Sequence, residues 1–223
     1  ARVDWTALLG PRSPGKVRAN KKGLEIAGEW SGLRFRVSLA LAASAPAWFW
    51  HVVLENAAST SCRVDLVYAQ DVALASYGAV RLNEYYVSQY VDHTPLEHPS
   101  RGAVLAVRQN LAVGGRHPWL CIGSLRYGES FCTDALQLHG LSTRAGGSPA
   151  ALGAERLPGV RRQHEHSMAV LQDAPLSLAP GTSAALGFFA WLEPDHPGVS
   201  GAADLGFADR ALALPEAVPP GMK

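Results

Sequence analysis

The clearest pattern along the chain is an alternation. Leu33, Phe35, Val37, Leu39 and Leu41 alternate with Arg34, Arg36, Ser38 and Ala40, a period of two that puts one face of a strand on a core and the other toward solvent. After Pro46, Trp48–Asn56 carries apolar residues of both parities, which predicts a strand covered on both faces, as in a sandwich interior. Cys62–Leu74 alternates again, with Cys62, Val64, Leu66, Tyr68, Val72 and Leu74 on one face and Gln70 interrupting it. Shorter strands are predicted at Leu24–Ala27, Ala103–Val107, Ser130–His139, Met168–Leu171, Leu176–Leu178 and Ala184–Leu192, with turns at Gly114-Gly115 and Pro180-Gly181.

Two segments differ. Leu141–Val160 is rich in Gly, Pro and Ala and reads as a surface insertion with one helical turn at Ala150–Glu155. In Ala202–Leu214, Leu205, Ala208 and Leu212 recur at helical spacing, Asp204 supplies a first-turn acid and Pro215 a stop. Residues 1–22 read as an arm, with Trp5 as its docking anchor, and residues 23–200 as the main body. Many short strands with frequent turns and one late helix predict an all-β fold, a sandwich or barrel.

The 223 residues are ample for one large core. A net charge of +1 with scattered basic residues excludes a polybasic surface for nucleic acid or anionic lipid. Cys62, Cys121 and Cys132 are an odd, irregularly spaced set, which predicts free thiols rather than a disulfide framework or a CxxC metal site. No apolar run reaches the ~18 residues of a spanning helix, and no signal peptide opens the chain. It starts at Ala1 without a Met, which predicts a segment upstream.

The densest candidate chemistry lies in Asn83–Leu125, which holds three of the six Tyr and three of the eight His beside Asp, Glu, Arg, Gln and Asn. Flat aromatic faces beside planar hydrogen-bonding groups suit the stacking of sugar rings. The same tyrosines also fit half-buried strands covering a core edge. His93, Glu97 and His98 form one potential ligand group and His164, Glu165 and His166 another. Neither has the helical HExxH spacing of a zinc site, so no metal or other cofactor is expected. A GxSxG elbow and the Walker and dinucleotide patterns are absent. Carboxylates for glycosidic cleavage would have to come from Asp71, Glu84, Asp92, Glu97, Glu129 or Asp134.

An ordered series of short motifs carries a family resemblance. Tyr86-Val87-Ser88-Gln89-Tyr90-Val91-Asp92-His93, Arg108-Gln109-Asn110 and His117-Pro118-Trp119-Leu120 resemble the N-terminal β-sandwich domain of 1,2-β-oligoglucan phosphorylases, within the inverting disaccharide-phosphorylase family. A similar module occurs in the phosphorylase-like part of cyclic β-1,2-glucan synthases. Tyr68-Ala69-Gln70-Asp71 and Phe188–Pro197 fit the same pattern. The resemblance implies a large antiparallel sandwich like that of galactose mutarotases, with residues 201–223 starting a helical linker to an (α/α)₆ catalytic barrel. The general acid and phosphate site would belong to that barrel, inorganic phosphate being a substrate of the whole enzyme, so this chain alone is expected to be inert. It also implies a homodimer, a β-linked glucan partner and a cytoplasmic setting, tethered to the inner membrane in a synthase. The expected sugar contacts are Tyr90 and Trp119 by stacking, Asp92, Arg108, Gln109 and Asn110 by hydrogen bonds to hydroxyls, and His93 and His117 by either. A free-standing carbohydrate-binding module and a mutarotase-like epimerase remain alternatives. The epimerase needs a His acid, from His51, His93, His117 or His139, and a carboxylate base about one sugar ring away.

Overall fold

The alternating runs pair as antiparallel strands. The computed structural model describes residues 3–20, 23–141, 143, 146–162 and 166–219. Its strands are β1 (Lys16–Asn20), β2 (Gly23–Trp30), β3 (Leu33–Leu41), β4 (Ala47–Asn56), β5 (Cys62–Val64), β6 (Val67–Asp71), β7 (Val91–His98), β8 (Gly102–Gln109), β9 (Trp119–Ser124), β10 (Gly128–Asp134), β11 (Ser167–Asp173), β12 (Leu176–Leu178) and β13 (Ser183–Glu193). Short helices are α1 (Tyr77–Leu82), α2 (Glu84–Gln89), α3 (Ala135–His139) and α4 (Leu205–Leu212).

A large sheet runs β1-β2-β3-β4-β13-β9-β8, with β7 on the outer side of β8. One of its faces meets a second layer. Leu105, Val107, Leu120, Ile122 and Ala190 pack there against Val72, Tyr68, Phe131 and Ala169 from the β10-β11-β6 side. Further along, Ile26, Phe35, Val37, Val52, Leu54 and Leu186 pack against Cys62, Val64, Leu176 and Leu178 of the β5–β12 pair. The two layers join at a parallel bridge between Gly102 and Gly128. A Cβ on Gly128 would lie 2.2 Å from the Ala103 carbonyl oxygen, and Gly102 has φ +64°, so only glycines allow this approach.

The opposite face of β4, β13, β9 and β8 is also apolar, through Ala47, Phe49, Phe189, Trp191, Trp119, Cys121, Val104 and Ala106. It is covered by the C-terminal segment. Ala208 and Ala211 of α4 are fully buried on it, with Leu205, Phe207, Leu212 and Leu214 packed alongside. The helix expected to lead away from the body therefore lies back on its own sheet, its small residues Ala208 and Ala211 seated on the apolar face. At the other end of the chain, the expected arm contributes a strand: β1 pairs in register with β2. The strand expected over Ser130–His139 stops at Asp134, whose carboxylate accepts from the Leu136 N–H and opens α3.

No helix among the described residues is long and apolar enough to cross a membrane. The cysteines are free, and burial pushes the Cys121 thiol up and the Cys132 thiol up to about 12.

Candidate functional site at one end of the sandwich

Antiparallel register brings Asp92, Arg108, Trp119 and Glu193 into one row across β7, β8, β9 and β13. This row marks the end of the sandwich where β7 and β9 begin and β8 and β13 finish. Three of the residues expected at a sugar site are thus neighbours, but two of them are spent on the C-terminal segment. Trp119 has no exposed surface. Its ring stacks on His196 at 5.1 Å and meets Phe207 at 4.8 Å, and its Nε1–H donates to Ser200 Oγ at 2.9 Å. Arg108 donates from Nε to the His196 carbonyl at 2.8 Å, from Nη2 to the Pro197 carbonyl at 3.1 Å, and from Nη1 to Asn110 Oδ1. These contacts tie the segment down where it crosses the sheet.

Gln109 and His93 face the other way, into the sandwich. The Gln109 amide donates to the Ala73 carbonyl at 2.7 Å and the Val87 carbonyl at 3.3 Å, and its Oε1 accepts from the Leu111 N–H at 2.9 Å. It satisfies backbone groups of three separate segments at once. His93 Nε2 lies 2.7 Å from Ser167 Oγ, and burial pushes its pKa down to about 4, against the raising effect of the Asp92 carboxylate.

The remaining expected residues reach solvent. Asn110 is exposed, and Tyr90, Asp92 and His117 are half-buried. Asp92 forms an ion pair with Arg161 and accepts from Thr94 Oγ1 at 3.2 Å. His117 donates from Nδ1 to the Gln109 carbonyl at 3.2 Å, while its backbone N–H donates to Asp195 Oδ1 at 2.8 Å. The Asn110 N–H donates to the Tyr90 carbonyl at 2.8 Å, so Tyr90, Asp92 and Asn110 share one rim.

Beside that rim stands a feature the alternation pattern missed. The tyrosines at the start of Asn83–Leu125, which also fitted half-buried strands, lie instead on and just after α2; α1 precedes it, and the two are hinged at Asn83, whose side chain caps α2 by accepting from the Tyr86 N–H at 3.1 Å. The helices bury only Val87 and Ser88. Tyr85 is 57% exposed and Tyr86 48%. The Tyr86 and Tyr90 rings meet edge to face at 5.1 Å, and Tyr85 meets His166 at 6.1 Å. The Tyr86 hydroxyl, near that of Tyr90, holds the Tyr90 pKa above its usual value. Tyr85, Tyr86, Arg161 and His166 thus extend the set. For the first two, Asn83 before Glu84 and the i,i+4 spacing of Tyr86 and Tyr90 are the helical signal. No sequence signal links Arg161 and His166 to this end.

Other groups considered for chemistry are dispersed. His93 and His98 project from opposite faces of β7, and His98 contacts Asp209 at 3.0 Å. His164 and Glu165 lie outside the described residues. Among the described residues no group of three or more His, Cys, Asp or Glu converges to hold a metal. Glu129 pairs with Arg156 and Asp134 caps α3. His51 is buried, with Nε2 donating to the Glu216 carbonyl at 2.8 Å, and burial lowers its pKa.

The architecture defines a large, mostly antiparallel β-sandwich. Residues 1–190 match the SOGP N-terminal domain family, and the chain belongs to it. It is 30% identical over 187 residues, 84% of its length, to a 1,2-β-oligoglucan phosphorylase of Listeria innocua serovar 6a, and spans only 16% of that protein. Among solved structures a polysaccharide lyase superposes with a TM-score of 0.54 at 11% identity, over 90% of this chain and 24% of the other. A galactose mutarotase related enzyme from Lactobacillus acidophilus gives 0.39 at 10% identity, over 85% of this chain and 74% of the other.

Proposed function

We propose that this domain is a non-catalytic, carbohydrate-facing β-sandwich module of a β-1,2-glucan-active glycoside phosphorylase, or of the phosphorylase-like part of a cyclic β-1,2-glucan synthase. The observation that carries this reading is the family match together with the 30% identity to a 1,2-β-oligoglucan phosphorylase, confined to 16% of that enzyme's length. A module of this kind leaves the general acid and the phosphate site to a separate catalytic domain, for which an (α/α)₆ barrel and a homodimeric assembly are the natural setting. The internal commitments of Arg108, Gln109, Trp119 and His93 favour scaffolding over chemistry at those positions. The sugar-facing role then falls to Tyr85, Tyr86, Tyr90, Asp92, Asn110 and His117, which combine ring faces with hydrogen-bonding groups on one rim. Each neutral hydrogen bond nets about 0.5–1.5 kcal/mol, so this open rim binds a glucan chain weakly by itself.

The test is direct. The chain, incubated with β-1,2-glucooligosaccharides and inorganic phosphate, is expected to release no glucose 1-phosphate above a protein-free blank, and to leave the rate of glucose mutarotation unchanged in a polarimeter. Turnover in either assay refutes the non-catalytic reading.

A further inference from the structure

The chain has six tryptophans, and four of them have an evident packing role. Trp119 and Trp191 lie under the C-terminal segment, and Trp48 and Trp50 pack between the layers. Trp5 and Trp30 are half-buried and belong to none of the apolar clusters among the described residues. Both line one groove of about 590 Å³, together with Asp4, Ser31, Ser148 and Gly153. Its walls come from three separate parts of the chain: the N-terminal segment, the β2–β3 turn and the stretch leading into a 3₁₀ turn at Ala150–Gly153.

The β2–β3 turn is rigid by construction. Trp30 and Leu33 pair across it, and Ser31 and Gly32 have φ +50° and +79°, the two successive left-handed residues of a type I′ hairpin. Trp30 is held at a fixed place on the groove wall, and its indole contributes to no core. Register sets this wall apart from the tyrosine rim. Trp30 pairs with Leu33, Leu33 with Asn56, and the adjacent Glu55 with Ser183 at the start of β13. The rim lies at the other end of that 11-residue strand, on the order of 30 Å away along the sheet.

We propose that this groove is a second carbohydrate subsite that takes a β-linked glucose chain. The class of ligand rests on the carbohydrate reading above; the location does not. A pyranose ring offers an apolar C–H face to an indole and an equatorial belt of hydroxyls to polar groups. The groove supplies both: the Trp5 and Trp30 indoles, and the Ser31 and Ser148 hydroxyls along the same lining. Walls on a hairpin turn and a 3₁₀ turn require little rearrangement to receive a chain.

The experiment is a ¹H–¹⁵N titration of the whole chain with short β-1,2-linked glucooligosaccharides, reading the six indole N–H signals and the backbone amides of the tyrosine rim. The Trp5 and Trp30 signals are expected to move saturably while those of the four packed tryptophans stay in place. Trp30→Ala should weaken this by about tenfold, as loss of an aromatic anchor does. Gly153→Trp provides a second check: Gly153 lines the groove and a Cβ there meets nothing within 4 Å, so the variant, once an unchanged melting midpoint shows its fold intact, is expected to obstruct the groove and abolish the Trp5 and Trp30 shifts. Stationary Trp5 and Trp30 signals while the rim amides move would overturn the groove and leave the domain reading standing. Shifts at Trp5 and Trp30 that survive Gly153→Trp would overturn it as well. If no signal moves with any β-linked oligosaccharide, the groove and the carbohydrate reading fall together.

Discussion

Two aromatic clusters lie at the same end of this sandwich, and the rest of the chain treats them oppositely. Trp119, Trp191 and Phe207 meet beneath the C-terminal segment, with Arg210 against the Trp191 and Phe207 rings at 4.9 and 4.2 Å. Tyr85, Tyr86 and Tyr90 stand on and just after α2, outside the edge strand β7. Ring type does not make the difference. β9 and β13 are central strands with one layer below and the C-terminal segment above, whereas the α1–α2 pair lies beyond an edge and buries only two residues. An aromatic side chain becomes core where a later segment closes over it, and an interaction surface where none does.

The sharpest way to break this contrast is Trp119→Ala. A fully buried large aromatic removed from a packed site costs about 3–5 kcal/mol, and here His196, Phe207 and Ser200 lose a partner too. A urea melt of the variant should show a lower midpoint by that order. A loss below about 0.5 kcal/mol, the range of surface substitutions, would mean that the C-terminal segment does not hold the ring in solution, and would return Trp119 to the list of sugar contacts.

The fold was largely legible because binary alternation reports burial directly. Leu33–Leu41 is β3 to the residue, and the mixed parity of Trp48–Asn56 marks β4, apolar on both faces. Asp92, Arg108 and Trp119, singled out by the family resemblance and not by alternation, come together across three strands. What the residues around Arg108 and Trp119 do not carry is their cover. The carbonyls that satisfy Arg108 come from 88 and 89 residues downstream, and the hydroxyl on Trp119 from 81. Local pattern has no access to contacts of that range. The tyrosine helices were missed for a different reason: aromatic residues favour strands on propensity, and in this stretch the Asn83 cap and the solvent on nearly every side outweigh it.

His93 offers a second, intermediate test, placed on the inner face of the same edge strand. Its folded-state pKa of about 4 lies below the ~6.5 of an unfolded histidine, so the unfolded chain takes up a proton first as pH falls. The stability associated with neutral His93 is therefore complete above about pH 6.5 and declines as pH drops toward 4, by up to roughly 3 kcal/mol. Denaturation midpoints across that window should fall steadily in the natural protein and more gently in His93→Gln. Parallel profiles for the two proteins would mean that His93 is hydrated in solution and that the edge strand is open on both sides.

The smallest expected effect on stability comes from the exposed cluster, and it tests the contrast most selectively. Tyr85→Ala and Tyr86→Ala each remove a ring that has about half its surface in water, so little apolar area returns to solvent on unfolding. The edge-to-face contact of Tyr86 with Tyr90 is of a kind worth about 0.5–1.5 kcal/mol when well packed and less at the surface. The double variant should melt within about 1 kcal/mol of the natural protein. If the rim binds glucan, its affinity for β-1,2-glucooligosaccharides should nonetheless fall several-fold, because stacking area lost from an open site has no neighbour to replace it. Unchanged binding with clear destabilisation would reverse the assignment, making these tyrosines the cover of a core edge and the buried cluster the better candidate for recognition once its C-terminal cover is displaced.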